Sequence, residues 1–137
     1  MSGDPAAAPS TSTFSARCDA IEEAYEFMLA YAAQGLPHDH GSAAGSQIRE
    51  FLRKCEQALD GLADAAGQAA RQPDVEPAPY EAFIAVLDHD ARHARAAVRL
   101  VLAQPSIGSQ LVDNLNASSH LRAVLTDVFL LDESLKR

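Results

Sequence analysis

Apolar residues recur at helical spacing along four long segments of this chain, and no stretch alternates apolar and polar residues as a strand would. The segments run over 13–34, 42–70, 79–104 and 106–135, and clusters containing Gly or Pro separate them. The second segment has the most regular stripe, close to a heptad repeat: Ile48, Phe51, Cys55, Ala58, Leu62, Ala65 and Ala69. Short connections between long helices favour antiparallel neighbours. The sequence therefore predicts an all-α fold, an up-down-up-down antiparallel four-helix bundle.

The first 12 residues differ in composition from the rest of the chain. The stretch "MSGDPAAAPSTS" holds mostly small residues and proline, which cannot build a packed core. We predict a disordered tail over 1–12 and a single domain over 13–137, because 137 residues that are 47% hydrophobic suffice for one core. The start has neither the basic nor the apolar stretch of a secretory signal, so we expect a cytoplasmic protein.

The formal net charge of −8 limits the partners of this chain. Binding to nucleic acid needs Lys and Arg to neutralise phosphates, and an anionic membrane repels an acidic surface. No apolar run approaches the ~20 residues that span a bilayer. The composition therefore predicts neither a nucleic-acid partner nor membrane association.

The two cysteines are too few for a disulfide framework. Cys18 and Cys55 both fall on apolar stripes, where thiols usually behave as small buried hydrophobes. We therefore expect two free thiols, neither of which acts as a nucleophile.

The stretch "AVLDHDARHARAAVRL", residues 85–100, places two histidines four residues apart on the third segment. On a helical wheel both lie about 120–160° from the core side, so they face the outer groove rather than the core. His120 of the fourth segment falls at the same level. The predicted site consists of His89, His93, His120 and Asp90, with Asp113 or Asp127 as a further carboxylate. This ligand set suits zinc or iron; the favoured alternative is a group of hydrogen-bonded polar residues at a helix boundary, with no cofactor.

Three arginines form a basic edge on the same segment. Arg92, Arg95 and Arg99 follow one another at helical spacing on the flank opposite Asp90. They are candidates for binding an anion or an acidic partner. The favoured alternative is a set of ion pairs within the chain, either with Glu22 and Glu26 or with acids of the second segment.

The fourth segment begins with a polar stretch on the side predicted to face the core. Gln110, Asn114 and Ser118 fall there at successive turns. Polar residues that line a bundle interior can hold a small ligand, so these three are candidate ligand-binding residues. Hydrogen bonding to the hydroxyl of Tyr25 or Tyr80 is the alternative.

Large apolar residues are also predicted on outward faces. Phe27, Leu100, Val112 and Leu130 all fall away from the core stripes, and Leu100 shares its side of the helix with His89 and His93. A helix that is apolar on two sides is usually covered on both. We predict a two-fold dimer in which the third and fourth segments supply the interface.

No catalytic motif accompanies these features. The Glu-x-x-His motif of di-iron bundles has one imperfect match, Asp90-x-x-His93, and no Gly-rich phosphate loop is present. We therefore predict a binding protein rather than an enzyme, of the accessory, adaptor or chaperone-like kind, with an unidentified protein partner. A metal-binding bundle and a small-ligand sensor are the alternative functions.

Overall fold

The computed structural model describes residues 13–136, and these residues form helices connected by turns, without strands. The helices are α1 (Phe14–Ala33), α2 (Ala43–Leu59), α3 (Leu62–Ala69), α4 (Pro77–Leu102), α5 (Ser109–Ala117) and α6 (Ser119–Leu135). The predicted all-α fold is therefore confirmed. The predicted disordered tail, residues 1–12, lies outside the described residues. None of the helices in the described part is long and apolar enough to cross a membrane.

Two of the four predicted helical segments are interrupted. The backbone of Asp60 is extended and that of Gly61 is left-handed (φ 82°), a conformation that glycine adopts without steric cost, so α2 ends and α3 begins there. Ser118 is likewise extended between α5 and α6. The prediction of unbroken helices over 42–70 and 106–135 is wrong at these two points. Apolar periodicity missed the first break because residues on either side, Leu59 and Leu62, are both buried.

A buried arginine stabilises the first interruption. The Nη1 atom of Arg17 on α1 donates hydrogen bonds to the carbonyl oxygens of Gln57, Ala58 and Asp60, the last at 2.6 Å. The last carbonyls of a helix lack partners inside the helix. The guanidinium group thus supplies partners for the end of α2, so that the chain can turn there without leaving buried carbonyls unsatisfied.

The core lies where the helices face one another. α1 packs against α2 and α5, while α4 packs against α2, α3 and α6. The largest fully buried side chains come from every helix and from the loop before α5: Ile21, Met28, Tyr31, Ile48, Leu52, Leu62, Leu87, Val98, Ile107, Val112, Leu121 and Val124. Both cysteines are buried free thiols, as predicted, and burial raises the pKa of each to about 12.

A buried carboxylate joins the loop between α1 and α2 to the loop between α4 and α5. Asp39 Oδ2 accepts a hydrogen bond from Arg49 Nε at 2.7 Å, and Asp39 Oδ1 accepts one from the Ile107 backbone N–H at 2.8 Å. Arg49 also donates to the carbonyls of Leu102 and Gln104 at the end of α4. Burial disfavours the charged form, but the hydrogen bonds from Ile107 and Arg49 outweigh it and lower the pKa of Asp39.

We expect Asp39→Ala to lower the free energy of unfolding by about 3 kcal/mol, because it leaves the Arg49 guanidinium and a buried N–H without their acceptor. Urea denaturation followed by circular dichroism measures this loss. Since the pKa of Asp39 is lowered on folding, the contribution of Asp39 to the free energy of unfolding is present above about pH 4 and is lost as the pH falls further. The matched control is Asp113→Ala at an exposed carboxyl, and an equal effect of both substitutions would contradict the role given to Asp39.

Candidate functional site

Three histidines lie side by side on the outer surface of α4 and α6. The ring centroids of His89 and His93 are 4.2 Å apart, and those of His93 and His120 are 5.6 Å apart with the rings nearly perpendicular. All three residues are exposed. Because His89 and His93 are one helical turn apart on α4, their rings project from the same face of the helix. The structure thus brings together the three histidines that the sequence assigned to one groove.

Two carboxyl groups lie beneath the histidines. Asp90 Oδ1 is 3.5 Å from His89 Nδ1 on the surface side, and the Asp90 carboxyl shares a hydrogen bond with Asp127 of α6 on the inner side. Asp127 is buried, and no N–H or O–H group of residues 13–136 donates to its Oδ2 atom. Two facing carboxyls can share a hydrogen bond only when one of them holds a proton.

Protonation of this pair follows from its surroundings. Burial raises the pKa of Asp127 to about 7, and the hydrogen bond with Asp90 and the negative charge of Asp90 add to the effect. The pKa of Asp90 is lowered, chiefly because Asp127 donates a hydrogen bond to it, with a further contribution from the nearby His89. Asp127 is therefore the carboxyl that holds the proton near neutrality, and Asp90 is the ionised partner that faces His89.

Within the described residues, the histidine cluster does not form a complete ligand set for a metal ion. Among residues 13–136, no three His, Cys, Asp or Glu side chains are arranged to hold one ion. Of the two further carboxylates considered from the sequence, Asp127 lies beside Asp90, whereas Asp113 is exposed on α5. The cluster of one chain thus offers a pair of adjacent imidazoles rather than a closed coordination sphere.

The arginine edge is largely engaged within the chain. Arg95 Nε contacts Glu56 Oε2 of α2 at 2.6 Å, and Arg92 Nε contacts Asp88 Oδ2 of its own helix at 3.0 Å. The Arg99 side chain is exposed, and no hydrogen bond or ion pair joins it to another described residue. The ion pair between Arg95 and Glu56 agrees with the predicted alternative, in which the edge pairs with acids of the second segment.

Two of the three predicted ligand-binding residues do not line the interior. Gln110 and Asn114 are exposed and bond to each other through Gln110 Nε2 and Asn114 Oδ1 at 3.3 Å. Ser118, half-buried, lies at the break between α5 and α6. The core-facing prediction is wrong for Gln110 and Asn114, because it extended the register of α6 backwards through this break, whereas the Oγ atom of Ser118 is buried. α5 instead buries Ser109, Val112, Leu115 and Asn116.

Two of the four predicted interface residues belong to the interior of the chain. Val112 is fully buried, since the phase of α5 turns it inward. Phe27 is half-buried and stacks on Phe51 of α2 with ring centroids 4.4 Å apart, so a neighbouring helix already covers it. Leu100 and Leu130 are exposed, 66% and 55% respectively. The prediction is thus wrong for Val112 and Phe27, whereas the exposure of Leu100 and Leu130 agrees with it.

One stripe on α4 combines the exposed apolar residues with the histidines. We call it the α4 stripe; it consists of Ala82, Val86, His89, His93, Ala96 and Leu100, all exposed. Their spacing alternates between four and three residues, which is the spacing of a helix seam that packs against another helix. The sequence contains this signal, and the structure adds that none of the six side chains is used in the core of the chain.

Comparison with known proteins gives no relative: no family model, no curated protein and no solved structure matches this chain.

We expect Asp127→Asn to weaken the pH dependence of stability between about pH 4 and pH 7. Because the pKa of Asp127 rises to about 7 on folding from about 4 in the unfolded chain, the folded protein binds the extra proton. The free energy of unfolding therefore falls as the pH rises through this window and levels off above it. Asparagine keeps a donor for Asp90 but does not titrate, so the fall should be smaller in urea titrations at about pH 5 and pH 8.

The control for this substitution is Asp113→Asn, which changes an exposed carboxyl of α5. It should leave the wild-type pH dependence unchanged. If Asp127→Asn retained the full wild-type decrease in stability, the proton would not reside on the Asp90–Asp127 pair.

Proposed function

We propose that this protein is an accessory or adaptor protein that works as a two-fold dimer, in which the α4 stripes of two copies pack against each other antiparallel. The observation that carries the proposal is the exposed stripe itself. Val86 and Leu100 are 47% and 66% exposed and share one seam with four further residues. Burial of apolar surface contributes about 25 cal/mol per Å² to the free energy of association. The small side chains of Ala82 and Ala96 allow two helix backbones to approach closely.

The order of residues along the stripe supports a second copy as the occupant. Three pairs of stripe residues lie at equal distances along the sequence on either side of Ala91. The pairs are Ala82 with Leu100, Val86 with Ala96, and His89 with His93. A two-fold axis at the level of Ala91 therefore places each member of a pair opposite the other member in the second copy. The stripe is thus complementary to itself in an antiparallel arrangement, as an isologous interface requires.

The charges beside the stripe support the same arrangement. On the flank away from α6, Glu81 and Asp88 precede the midpoint, and Arg92 and Arg99 follow it. In an antiparallel two-fold pair, like flanks of the two helices face each other. Glu81 would lie beside the second copy's Arg99, and Asp88 beside the second copy's Arg92. A parallel arrangement would instead bring unlike flanks together and would not pair these acids with these arginines, so the charges favour the antiparallel dimer.

The up-down-up-down four-helix bundle forms part of this proposal. We regard α2 with α3, and α5 with α6, as two legs that are each interrupted once, and α1 and α4 as the unbroken legs. Its support is that α1 packs against α2, α2 against α4, α4 against α6, and α5 against α1. In such a bundle α4 has neighbours on two sides and an outer face between them, which is where the α4 stripe lies.

A binding role rather than a catalytic one is supported by the state of the thiols. Burial raises the pKa of both Cys18 and Cys55 to about 12, so neither supplies a thiolate near neutral pH. Two free thiols also suit a reducing compartment, which supports the proposed cytoplasmic location.

The second candidate function, metal binding, is favoured by the approach of His89, His93 and His120. The small-ligand sensor has weaker support, because Gln110 and Asn114 are exposed and only the Oγ atom of Ser118 is buried without a hydrogen-bond partner in the described residues.

We expect Leu100→Glu to weaken self-association at least about tenfold, because it places a charge in the covered seam, and tenfold corresponds to about 1.4 kcal/mol. Sedimentation equilibrium of the full chain over a range of concentrations measures the dissociation constant. The matched control is Leu29→Glu, an exposed leucine of α1 outside the stripe. A monomeric wild-type protein, or equal effects of both substitutions, would contradict the interface.

The charge arrangement can be tested separately by reversal. We expect Glu81→Arg alone and Arg99→Glu alone each to weaken the dimer, since each places like charges across the interface. The double variant restores the opposite charges in both copies and should recover most of the wild-type affinity. Sedimentation at low ionic strength gives the largest contrast. Additive losses in the double variant would exclude the antiparallel pairing of these residues.

A further inference from the structure

We propose that His89 and His93 form one half of a site for a divalent first-row metal ion such as zinc, and that the same two histidines of a second copy complete it at the two-fold axis. The inference rests on the proposed antiparallel dimer and extends it. It assigns a chemical role to the middle of the α4 stripe, where imidazoles stand in place of the apolar residues that the rest of the seam contains.

The first step concerns the pair of rings. His89 and His93 are exposed, lie one turn apart on a rigid helix, and have ring centroids 4.2 Å apart. Two imidazoles on one helix face can bind the same ion, and imidazole is a preferred ligand of zinc. A tetrahedral zinc site needs four ligands, and one chain has no third ligand arranged with this pair among residues 13–136. The pair is therefore a half-site.

The second step concerns what the dimer brings to the half-site. His89 and His93 lie at equal distances from Ala91, the residue through which the proposed two-fold axis passes. The second copy's His93 is then opposite His89, and the second copy's His89 is opposite His93. Antiparallel helices that pack through small residues have axes about 8–10 Å apart, a distance that imidazole side chains from both helices can bridge through one ion. Four imidazoles at the axis match the coordination number of zinc.

The third step concerns the groups behind the ligands. Metal-binding histidines usually donate their second ring N–H to a carboxylate, which fixes the tautomer and the orientation of the ring. Asp90 Oδ1 lies 3.5 Å from His89 Nδ1, so a proton on Nδ1 would face the carboxylate and leave Nε2 available to a metal. Behind Asp90 lies buried Asp127, whose Oδ2 atom has no donor in the described residues. The Asp90 carboxyl group thus lies directly behind one of the two ligands.

The remaining histidine of the cluster has a positioning role in this arrangement. His120 meets His93 nearly edge-on at a centroid distance of 5.6 Å. This contact limits the rotation of the His93 ring. If His120 instead bound the ion together with His89 and His93, the site would lie within one chain and would hold one ion per chain. The stoichiometry of binding therefore distinguishes the two arrangements.

The test is a titration of the full-length, tag-free chain with Zn²⁺ and with Co²⁺, after removal of metals by a chelator. Calorimetry gives the stoichiometry, the visible spectrum of bound Co²⁺ reports tetrahedral coordination, and sedimentation gives the dimer dissociation constant with and without Zn²⁺. We expect one ion per two chains and a dimer at least about tenfold tighter with Zn²⁺. His93→Ala should abolish both effects, so that the dissociation constant of this variant is the same with Zn²⁺ as with chelator. The matched control is His38→Ala, in the other histidine pair, His38 and His40, which lies in a loop.

The outcomes separate the metal site from the dimer on which it rests. A dimer that forms with chelator present but gains nothing from Zn²⁺ would overturn the metal site and leave the α4 interface standing. One ion per chain bound to a monomer, with affinity lost in His120→Ala, would overturn the shared site in favour of a three-histidine site. A chain that remains monomeric with and without Zn²⁺ would overturn both proposals.

Discussion

The buried carboxylate of Asp39 fixes the geometry on which the outer surface of α4 depends. It binds Arg49 of α2 and the backbone of Ile107, and Arg49 in turn binds the carbonyls of Leu102 and Gln104 where α4 ends. A Cβ atom at Gly45 would overlap the Asp39 carbonyl, so the close approach of this loop to α2 requires glycine. These bonds therefore hold the end of α4 against α2. They fix both the position of α4 and its rotation about the helix axis.

That rotation divides α4 into an inner and an outer apolar side. The inner side, which includes Leu87, Ala94 and Val98, is buried in the core. The outer side, with Val86 and Leu100 among the exposed residues, has the same alternation of three and four residues. Since a solvated helix face gains nothing from such spacing, the outer side is best explained by a second helix that covers it. The self-complementary order of residues and charges makes a second copy of α4 the simplest such helix.

Periodicity predicted the helical class and the approach of distant polar residues, but not the local breaks. His93, His120 and Asp90 came together as expected because Asp90 and His93 lie within the unbroken α4 and His120 lies within α6, so the face of each residue follows from the register of its own helix. Gln110 and Asn114 do not face the core as predicted, because the extended residue Ser118 changes the phase of α5 relative to α6. The role of Asp39 has no periodic signal at all. A loop carboxylate gains its partners from residues 10 and 68 positions away, which only the fold brings together.

Electrostatics would link the proposed dimer to the proposed cation at its centre. Each chain has a formal net charge of −8, and the two-fold axis would bring the ionised Asp90 of both copies near one another beneath the histidines. In the proposed dimer without a metal, the proton on Asp127 would relieve this repulsion only in part, because it does not neutralise Asp90 itself. A divalent ion between the imidazoles would place two positive charges next to both Asp90 carboxylates. The acidic residues that oppose association without a metal would then favour it with one, so metal availability would control how tightly two copies bind.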